Sequence, residues 1–431
     1  MQKKQINLAL AGFGTVGTGL AKIIEENRDW IQRRLGKELR IVKILVRDPD
    51  KKRSYLPGPE AQVITDPEDL VQDQSVDTVV ELMGGLDTAH EVIRRALQER
   101  KHVVTANKAL LAERGNELFS QAQEQGVGLY YEASVAGGIP IVQTLKESLS
   151  GDRIRSLTGI LNGTANFILS EMNHKGLSFD AALQMAQEKG YAEADPSLDI
   201  DGHDAAHKLI ILIRLAYGMD FPLDWLPMHG IAGVQAMDIA MAGEFGYNLK
   251  LIAQVREKSG HLQAGVFPAL LPQDHILAKV EGAYNSVLID GNAVGQVMLY
   301  GQGAGDMPTG SAVLSDILAL SRDGAVPNNT GFMEKVLPRA EFLQPELSVS
   351  RHYFRFTAQE KPGVLERVAG VMSEHNISIA QVVQKQELPE GGVPIVFLTH
   401  KAQLDAVNKA LNIVNGFDFI TSPAVHYRIL G

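Results

Sequence analysis

Cysteine occurs nowhere in the 431 residues. That excludes disulfides, thiolate nucleophiles and cysteine-bound zinc. No run of eighteen apolar residues exists, so nothing in the chain reads as a membrane span. An excess of positive charge is also missing: 41 Lys and Arg face 51 Asp and Glu, a formal net charge of −10. Partnership with nucleic acid or an anionic membrane surface is therefore not expected. Aromatic residues make up only 6%, but 45% of the chain is hydrophobic, a normal globular profile. The length implies two or three domains. The opening MQKKQINLALAGFG has a basic tip and a short apolar run, as a signal peptide does. The run flows into a glycine motif that needs a strand before it, so it reads as the first strand of a cytoplasmic enzyme.

That glycine motif is GFGTVG, residues Gly12, Phe13, Gly14, Thr15, Val16 and Gly17, in G-x-G-x-x-G spacing. INLALA (6–11) precedes it as a buried strand, and TGLAKIIEEN follows at helical period. Gly12 permits the tight turn, Gly14 lets a pyrophosphate approach the backbone, and Gly17 lets helix pack on strand. The free N–H groups of the new helix suit a phosphate. A lone glycine motif is a weak signal, but strand before and helix after make this one strong. The second strand, RIVKILV (40–46), ends at Arg47 and Asp48, with Lys51, Lys52 and Arg53 beyond. An acid at this point suits the ribose 2′-hydroxyl of NAD and an arginine the 2′-phosphate of NADP. The cations favour NADP, with dual use open. Alternation continues through VDTVVEL (76–82), a helix at 88–100, KHVVTA (101–106), a helix at 109–125 and VGLYYEA (127–133). This predicts a Rossmann-like, doubly wound parallel sheet with ligands beyond the strand C-termini. MGG (83–85) and TANK (105–108) both fall there, so Lys108 is expected to face the cleft; its plain alternative is a solvated surface lysine.

In the middle third, YAEADPSLDIDGHDAAHK (191–208) places Glu193, Asp195, Asp199, Asp201 and Asp204 ahead of Lys208 and an apolar helix. A calcium loop is refuted, because Lys208 would occupy the twelfth loop position, which needs a bidentate glutamate. His203 and His207 are four apart, but H-D-A-A-H lacks the glutamate of a zinc protease motif. Helix capping by Asp201, with Asp204 three later, explains one or two acids and not five. Asp204 and Lys208 share a helix face at i, i+4. Burial and the positive helix end each act to lower an ammonium's pKa, which suits a lysine that gives and takes protons. Hydride chemistry on an alcohol needs such a group, and lysines are the remaining candidates. Further on, 249–257, 261–270, 285–291 and 293–301 read as antiparallel strands. The loop GQGAGDMPTG (301–310) then leads into a helix at 311–321 that is expected to return to the first domain.

At TANK, GGIP, LNGTANFILSEM and GYAEADPSLDIDGHDAAHK the sequence resembles the homoserine dehydrogenase family, in order over about residues 5–320. The resemblance implies interconversion of L-homoserine and L-aspartate 4-semialdehyde with NADP or NAD, within threonine and methionine biosynthesis, by a homodimer or homotetramer. It implies Lys108 and Lys208 as active-site lysines, with Lys208 as proton donor, and Glu193 and Asp204 as substrate-binding acids. It also implies Gly190 and Gly303 as cofactor contacts, and a sodium site on Glu132, Val135, Gly137 and Ile139, largely through backbone carbonyls. Aspartate-semialdehyde dehydrogenase, a related alternative, needs the cysteine this chain lacks. A nucleotide- and amino-acid-sensing regulator without catalysis would need no paired lysines.

The tail reads as strand 351–359, helix 362–376, strands 377–386 and 394–401 around the turn PEGG, helix 402–414 and strand 424–430. That β-α-β-β-α-β order is ferredoxin-like. With Pro362-Gly363 and HNISI (375–379) it resembles the ACT domain, which implies amino-acid feedback, most naturally by L-threonine. The expected domains are 1–133, nucleotide-binding and completed by the helix at 309–322; 134–308, an α+β substrate and dimerisation domain; a linker, 323–350; and 351–431, the ACT domain.

Overall fold

A computed structural model describes residues 4–53, 55–58, 60–322, 327–389 and 391–431. The first four residues of the expected linker, 323–326, and Glu390 of the PEGG turn lie outside the described residues.

The amino-terminal unit is a six-stranded parallel sheet in the order β3-β2-β1-β4-β5-β6. Its strands are β1 (Gln5–Ala11), β2 (Glu38–Leu45), β3 (Gln62–Ile64), β4 (Thr78–Glu81), β5 (His102–Thr105) and β6 (Leu129–Tyr130). Connecting them are α1 (Thr15–Glu26), α2 (Arg28–Leu35), α3 (Pro67–Val71), α4 (Asp87–Gln98) and α5 (Lys108–Gln125). β4 is buried along its whole length, as a parallel strand covered on both faces must be. The strand order reverses between β1 and β4, which opens a crevice beyond their C-terminal ends. The expected strand at 127–133 is shorter: after Tyr130 the chain turns into a 3₁₀ helix at Glu132–Ser134.

The second unit carries α6 (Ile141–Gln143), β7 (Ile154–Ile160), α7 (Gly163–Lys175), α8 (Phe179–Glu188), α9 (Ser197–Ile200), α10 (His203–Tyr217) and α11 (Ala236–Glu244). β8 (Tyr247–Lys258), β9 (His261–Pro272), β10 (Tyr284–Gly291) and β11 (Gly295–Gln302) complete its antiparallel sheet. β8 and β9 form a long hairpin closed by Ser259 and Gly260, both at positive φ (54° and 85°), the turn whose twist matches the strands. α12 (Asp306–Ser321) returns to the first unit, as the sequence predicts, and starts earlier than expected. It crosses α1 where Gly19 meets Asp306 and Gly310 meets Leu20; a Cβ on Gly310 would lie 2.8 Å from the Leu20 nitrogen. Larger residues at either glycine would push the two helices apart.

The carboxyl-terminal unit is β12 (Val349–Ala358), α13 (Val364–Glu374), β13 (Ile379–Gln384), β14 (Val393–Thr399), a two-residue β15 (Ala402–Gln403), α14 (Leu404–Asn415) and β16 (Ile420–Ile429). Phe354, Phe356 and Phe397 fill its core beneath the two helices. Its sheet is not free-standing. β16 pairs in parallel with β9 through Arg428–Ala269 and Ile429–Leu270, so both sheets run on as one in the order β11-β10-β7-β8-β9-β16-β12-β14-β13. A buried ion pair reinforces the seam: Arg355 of β12 grips Asp238 of α11 at 2.6 and 2.9 Å, and the Tyr353 hydroxyl donates to the same carboxylate at 3.0 Å. Asp238 is fully buried and Arg355 nearly so.

Asp238→Ala leaves the Arg355 guanidinium buried without its counter-charge. The expected loss is about 3–5 kcal/mol, seen in urea unfolding as a lower midpoint. A change within experimental error would mean that the seam does not depend on this pair.

Candidate active site

Two lysines from different units meet at one buried carboxylate. Lys108 is the first residue of α5, whose cap is Asn107 accepting from the Leu110 N–H at 3.2 Å. Lys208 sits in the second turn of α10. Asp204 Oδ1 lies 3.1 Å from Lys108 Nζ, and Oδ2 lies 2.7 Å from Lys208 Nζ. A cation at a helix N-terminus opposes the dipole, so the carboxylate across the cleft is what holds Lys108 in place. Lys208, 8% exposed, also donates to the Leu161 carbonyl at 2.7 Å. Two of its three donors are thus used among the described residues, and one is left. Burial pushes the Asp204 carboxyl up, but the ammoniums of Lys208 and then Lys108 outweigh it and hold the group well below the usual carboxylate range.

Asn162 organises the floor of the site. Its Nδ2 donates to Asp204 at 2.9 Å and Asp199 at 2.6 Å, while its carbonyl oxygen caps α7 by accepting from the Ala165 N–H. Burial, partly offset by the Asn162 bond and reinforced by Asp204, pushes the Asp199 carboxyl up. Asn285 Nδ2 donates to the Leu161 carbonyl at 2.9 Å, which fixes the acceptor that Lys208 uses. On the first unit's side, Glu81 ends β4 fully buried. It accepts from the N–H groups of Met83 and Gly84 and from the Thr105 hydroxyl at 2.6 Å. Asn107 ties the same corner to the Gly85 carbonyl. Desolvation pushes the Glu81 carboxyl up, and these bonds pull against it. The MGG and TAN loops are thereby locked behind Lys108.

The capping expectation fails at Asp201. The residue before α10 is Gly202, at φ 91° with no side-chain cap, and Asp201 is exposed at the end of α9. Asp204 is turned inward to the lysines instead. The five acids do not converge: Asp199 and Asp204 meet through Asn162, whereas Glu193, Asp195 and Asp201 are exposed. Glu193 lies in the loop after α8, where its backbone carbonyl accepts from Gln187. Gly190, at φ 74°, turns the chain past α8.

The glycine loop lies at the β1–β4 switch point. Gly12 has φ 97°, and a Cβ there would fall 2.8 Å from the Leu82 carbonyl, so both backbone angle and close approach demand glycine. Gly14 faces open space, Phe13 is buried, and Thr15 begins α1, with Val16 and Gly17 in its first turn and Gly17 against the Gly12 carbonyl. Such a cradle fits a dinucleotide pyrophosphate. Arg47 is exposed just past β2, whereas Arg53 folds back onto the carbonyls of Asp48, Pro49 and Lys51. Gly303 packs so closely on Asn285 and on Gly137 that a side chain at either glycine would overlap its neighbour.

Glu132, Val135, Gly137 and Ile139 share a buried loop. The Glu132 carboxylate is occupied as a helix cap, accepting from the Val142 and Gln143 N–H groups at 2.8 Å each. Burial, then Asp316, pushes it up to about 8. That leaves chiefly the backbone oxygens of this loop for a cation, and no group of three or more His, Asp or Glu residues suited to a metal occurs among the described residues.

A dinucleotide cradle facing a lysine–carboxylate–lysine cluster defines an NAD(P)-dependent oxidoreductase. The family models that match are "Homoserine dehydrogenase" over residues 140–318, "Homoserine dehydrogenase, NAD binding domain" over 12–132 and "ACT domain" over 352–416. The homoserine dehydrogenases of Neisseria gonorrhoeae and Pseudomonas aeruginosa are 40% and 39% identical to the chain, each alignment covering 99% of both proteins. The crystal structure of a homoserine dehydrogenase from Thiobacillus denitrificans superposes with a TM-score of 0.93 at 40% identity, over 100% of this chain and 99% of that one. A hyperthermophilic archaeal homoserine dehydrogenase in complex with NADPH superposes at 0.61 and 32% identity, over 74% of this chain and 98% of its own. The chain belongs to the homoserine dehydrogenase family. Its fold is α/β, with a nucleotide-binding domain, a substrate domain and a C-terminal ACT domain, and no helix among the described residues is long and apolar enough to cross a membrane.

Asn162, Asn285 and Glu81 were not singled out from sequence. Asn162 was visible only inside the motif LNGTANFILSEM; the other two carry no local pattern, because their partners come from distant segments.

Asp204→Asn tests the carboxylate's work. Removing a helix cap costs about 1 kcal/mol, whereas stripping a buried ammonium of its counter-ion costs about 3 kcal/mol or more. Asp204→Asn is expected to lower the melting temperature by the larger amount, with turnover falling alongside. Asp201→Ala, which would remove a cap if there were one, should leave both unchanged. A reversed ranking would restore the cap.

Proposed function

We propose that the chain reduces L-aspartate 4-semialdehyde to L-homoserine, and runs the reverse oxidation, with Lys208 moving the proton. The observation that carries this reading is the single buried carboxylate, Asp204, shared by Lys208 and Lys108 from the two walls of the cleft. A bound nicotinamide dinucleotide supplies the hydride. The Gly12–Gly17 loop and the N-terminus of α1 hold its pyrophosphate, with Gly190 and Gly303 at the edge of its site. Arg47 suits a 2′-phosphate, which favours NADP. The remaining donor of Lys208 reaches the carbonyl oxygen and gives it a proton as the carbon is reduced; in the reverse direction the same lysine takes the hydroxyl proton. Lys108 adds positive charge beside that oxygen. Asp204 holds both ammoniums, and it and Glu193 are the acids that the family resemblance assigns to the substrate. A monovalent cation on the carbonyls of Glu132, Val135, Gly137 and Ile139 would stiffen the loop that abuts Gly303. A higher melting temperature in sodium chloride than in choline chloride would support it, and equal values would remove it.

The reaction is read as loss of NADPH absorbance on adding the semialdehyde. NADPH is expected to react faster than NADH, and Arg47→Ala to narrow the difference. Lys208→Ala should lower turnover about 10²- to 10⁴-fold while dinucleotide binding, followed by NADPH fluorescence, persists. Lys108→Ala should lose turnover similarly. Wild-type rates in Lys208→Ala would end this assignment.

The ACT domain supports feedback by an amino acid, L-threonine being the natural end product of such a pathway. The expected effector turn is at Pro362–Gly363, where Gly363 has φ 88° and precedes α13. Deleting the domain is a poor test, because it would bare β9 and orphan Asp238. Gly363→Asp in the whole chain is the better one. L-threonine should bind the wild-type protein in calorimetry and inhibit it, and Gly363→Asp should blunt both. Absence of binding and inhibition at millimolar threonine would leave the domain to another effector.

A further inference from the structure

The seam between the catalytic sheet and the ACT sheet encloses a cavity of about 260 Å³ that the reaction does not use. It lies over the β9–β16 junction, and four cations line it: Arg256, Arg351, Lys401 and Arg428. Among the described residues no acidic side chain lines it, and the one carboxylate in its wall is the α-carboxylate of Gly431. Among the described residues, none of these four cations forms an ion pair with a carboxylate. Arg351 instead donates to the Thr399 carbonyl and the Tyr247 hydroxyl, Arg256 donates to Gln263 Oε1 at 2.6 Å, and Arg428 stacks over the Phe267 ring at 4.3 Å. Glu346, an acid whose charge acts on Arg428, is exposed.

Two further polar groups in the same wall lack partners. Gln263 Nε2 and Ser348 Oγ are buried and have no hydrogen-bond partner among the described residues; the two residues are 7% and 3% exposed. Buried donors are nearly always satisfied, and leaving one unsatisfied costs about 1–3 kcal/mol. Burial and the neighbouring Arg256 push the Arg428 guanidinium down to about 10, a sign that the two cations crowd each other with too little negative charge nearby. Unpaired donors, uncompensated cations and a cavity therefore coincide at one place.

We propose that this seam is a binding site for a small dianion bearing phosphate or carboxylate groups and no ammonium. Guanidinium groups match such oxyanions two donors at a time, and Gln263 Nε2 and the Ser348 hydroxyl, packed inside the wall, would have to turn toward the cavity to add two neutral donors. Four cations against one carboxylate, that of Gly431, favour a ligand with two negative charges over a zwitterion of no net charge. Cations from β8 (Arg256), β12 (Arg351), the β14–β15 turn (Lys401) and β16 (Arg428) would share one ligand. The dianion would therefore clamp the ACT sheet onto the catalytic sheet, at a place separate from the Pro362–Gly363 turn.

The test is calorimetric titration of the intact protein with inorganic phosphate and, separately, succinate, with melting curves at each concentration. Saturable binding of either, with a rise in melting temperature, is expected, because a ligand that binds only the folded state stabilises it. The stronger of the two tells a phosphate from a dicarboxylate. Arg428→Gln should weaken binding about tenfold or more, as loss of one charge-assisted hydrogen bond does. Lys401→Gln, an exposed change that leaves the fold alone, should weaken it by a smaller factor. Phosphate affinity unchanged in both variants would place the ion at the α1 N-terminus and overturn the proposal. So would the absence of saturable binding by phosphate and succinate, or L-threonine binding that both variants lose.

Discussion

A buried carboxylate between two ammoniums is the constraint around which the catalytic half of this molecule is arranged. Asp204 is inside the protein, and a lone charge there would be costly. Lys208 alone would balance it. Lys108 makes the cluster net positive, and that surplus is useful only where negative charge develops on a substrate oxygen. Neither lysine can wander, because Asp204 and the Leu161 carbonyl fix Lys208, while Asp204 and the capped start of its helix fix Lys108.

Holding that cluster together is a matter of how two helices meet. Arg214, three turns along α10, is buried and donates to the carbonyls of Leu111 and Ala112 in α5, while its Nε pairs with Asp220 at 2.8 Å. The helix that carries Asp204 and Lys208 is thus bolted to the helix that begins at Lys108. Behind β4 and β5, Glu81 performs the matching task for the loops, gathering the MGG backbone and the Thr105 hydroxyl on one carboxyl group. α12 ties the units a third time, through its glycine contact with α1 and the bond from the Glu132 N–H to Asp316.

Much of this could be read from sequence, for identifiable reasons. Periodicity and glycine spacing are local signals, so the parallel sheet, the α1 turn and the β-α-β-β-α-β tail were legible, with ends off by a few residues. Asp204 and Lys208 were paired correctly because four residues on a helix is a local distance. Asp201 was misread as a cap because its chemistry suits one; Gly202, at a positive φ, took the place. The five acids looked like one cluster along the chain, but a short α9 and two loops send three of them to solvent. Asn162, Asn285, Arg214 and the Asp238–Arg355 pair escaped notice because each joins segments far apart in sequence, and single-chain patterns carry no record of such meetings.

The junction of β9 with β16 has a bearing on how the chain comes to be folded. Ala269 must wait for Arg428, and β12 cannot be flanked on that side until the same late strand arrives. During synthesis the β8–β9 hairpin can close at once, and segments 227–229 and 341–343 bond its outer edge at Val266 and Leu262, yet the edge at Ala269 and Leu270 stays unpaired while the ACT residues are still emerging. An open, largely apolar strand edge is a template for pairing with the wrong neighbour. The last strand in sequence order therefore acts as a closing seal, and the slowest, most aggregation-sensitive step of folding is expected at the centre of the sheet rather than at either end.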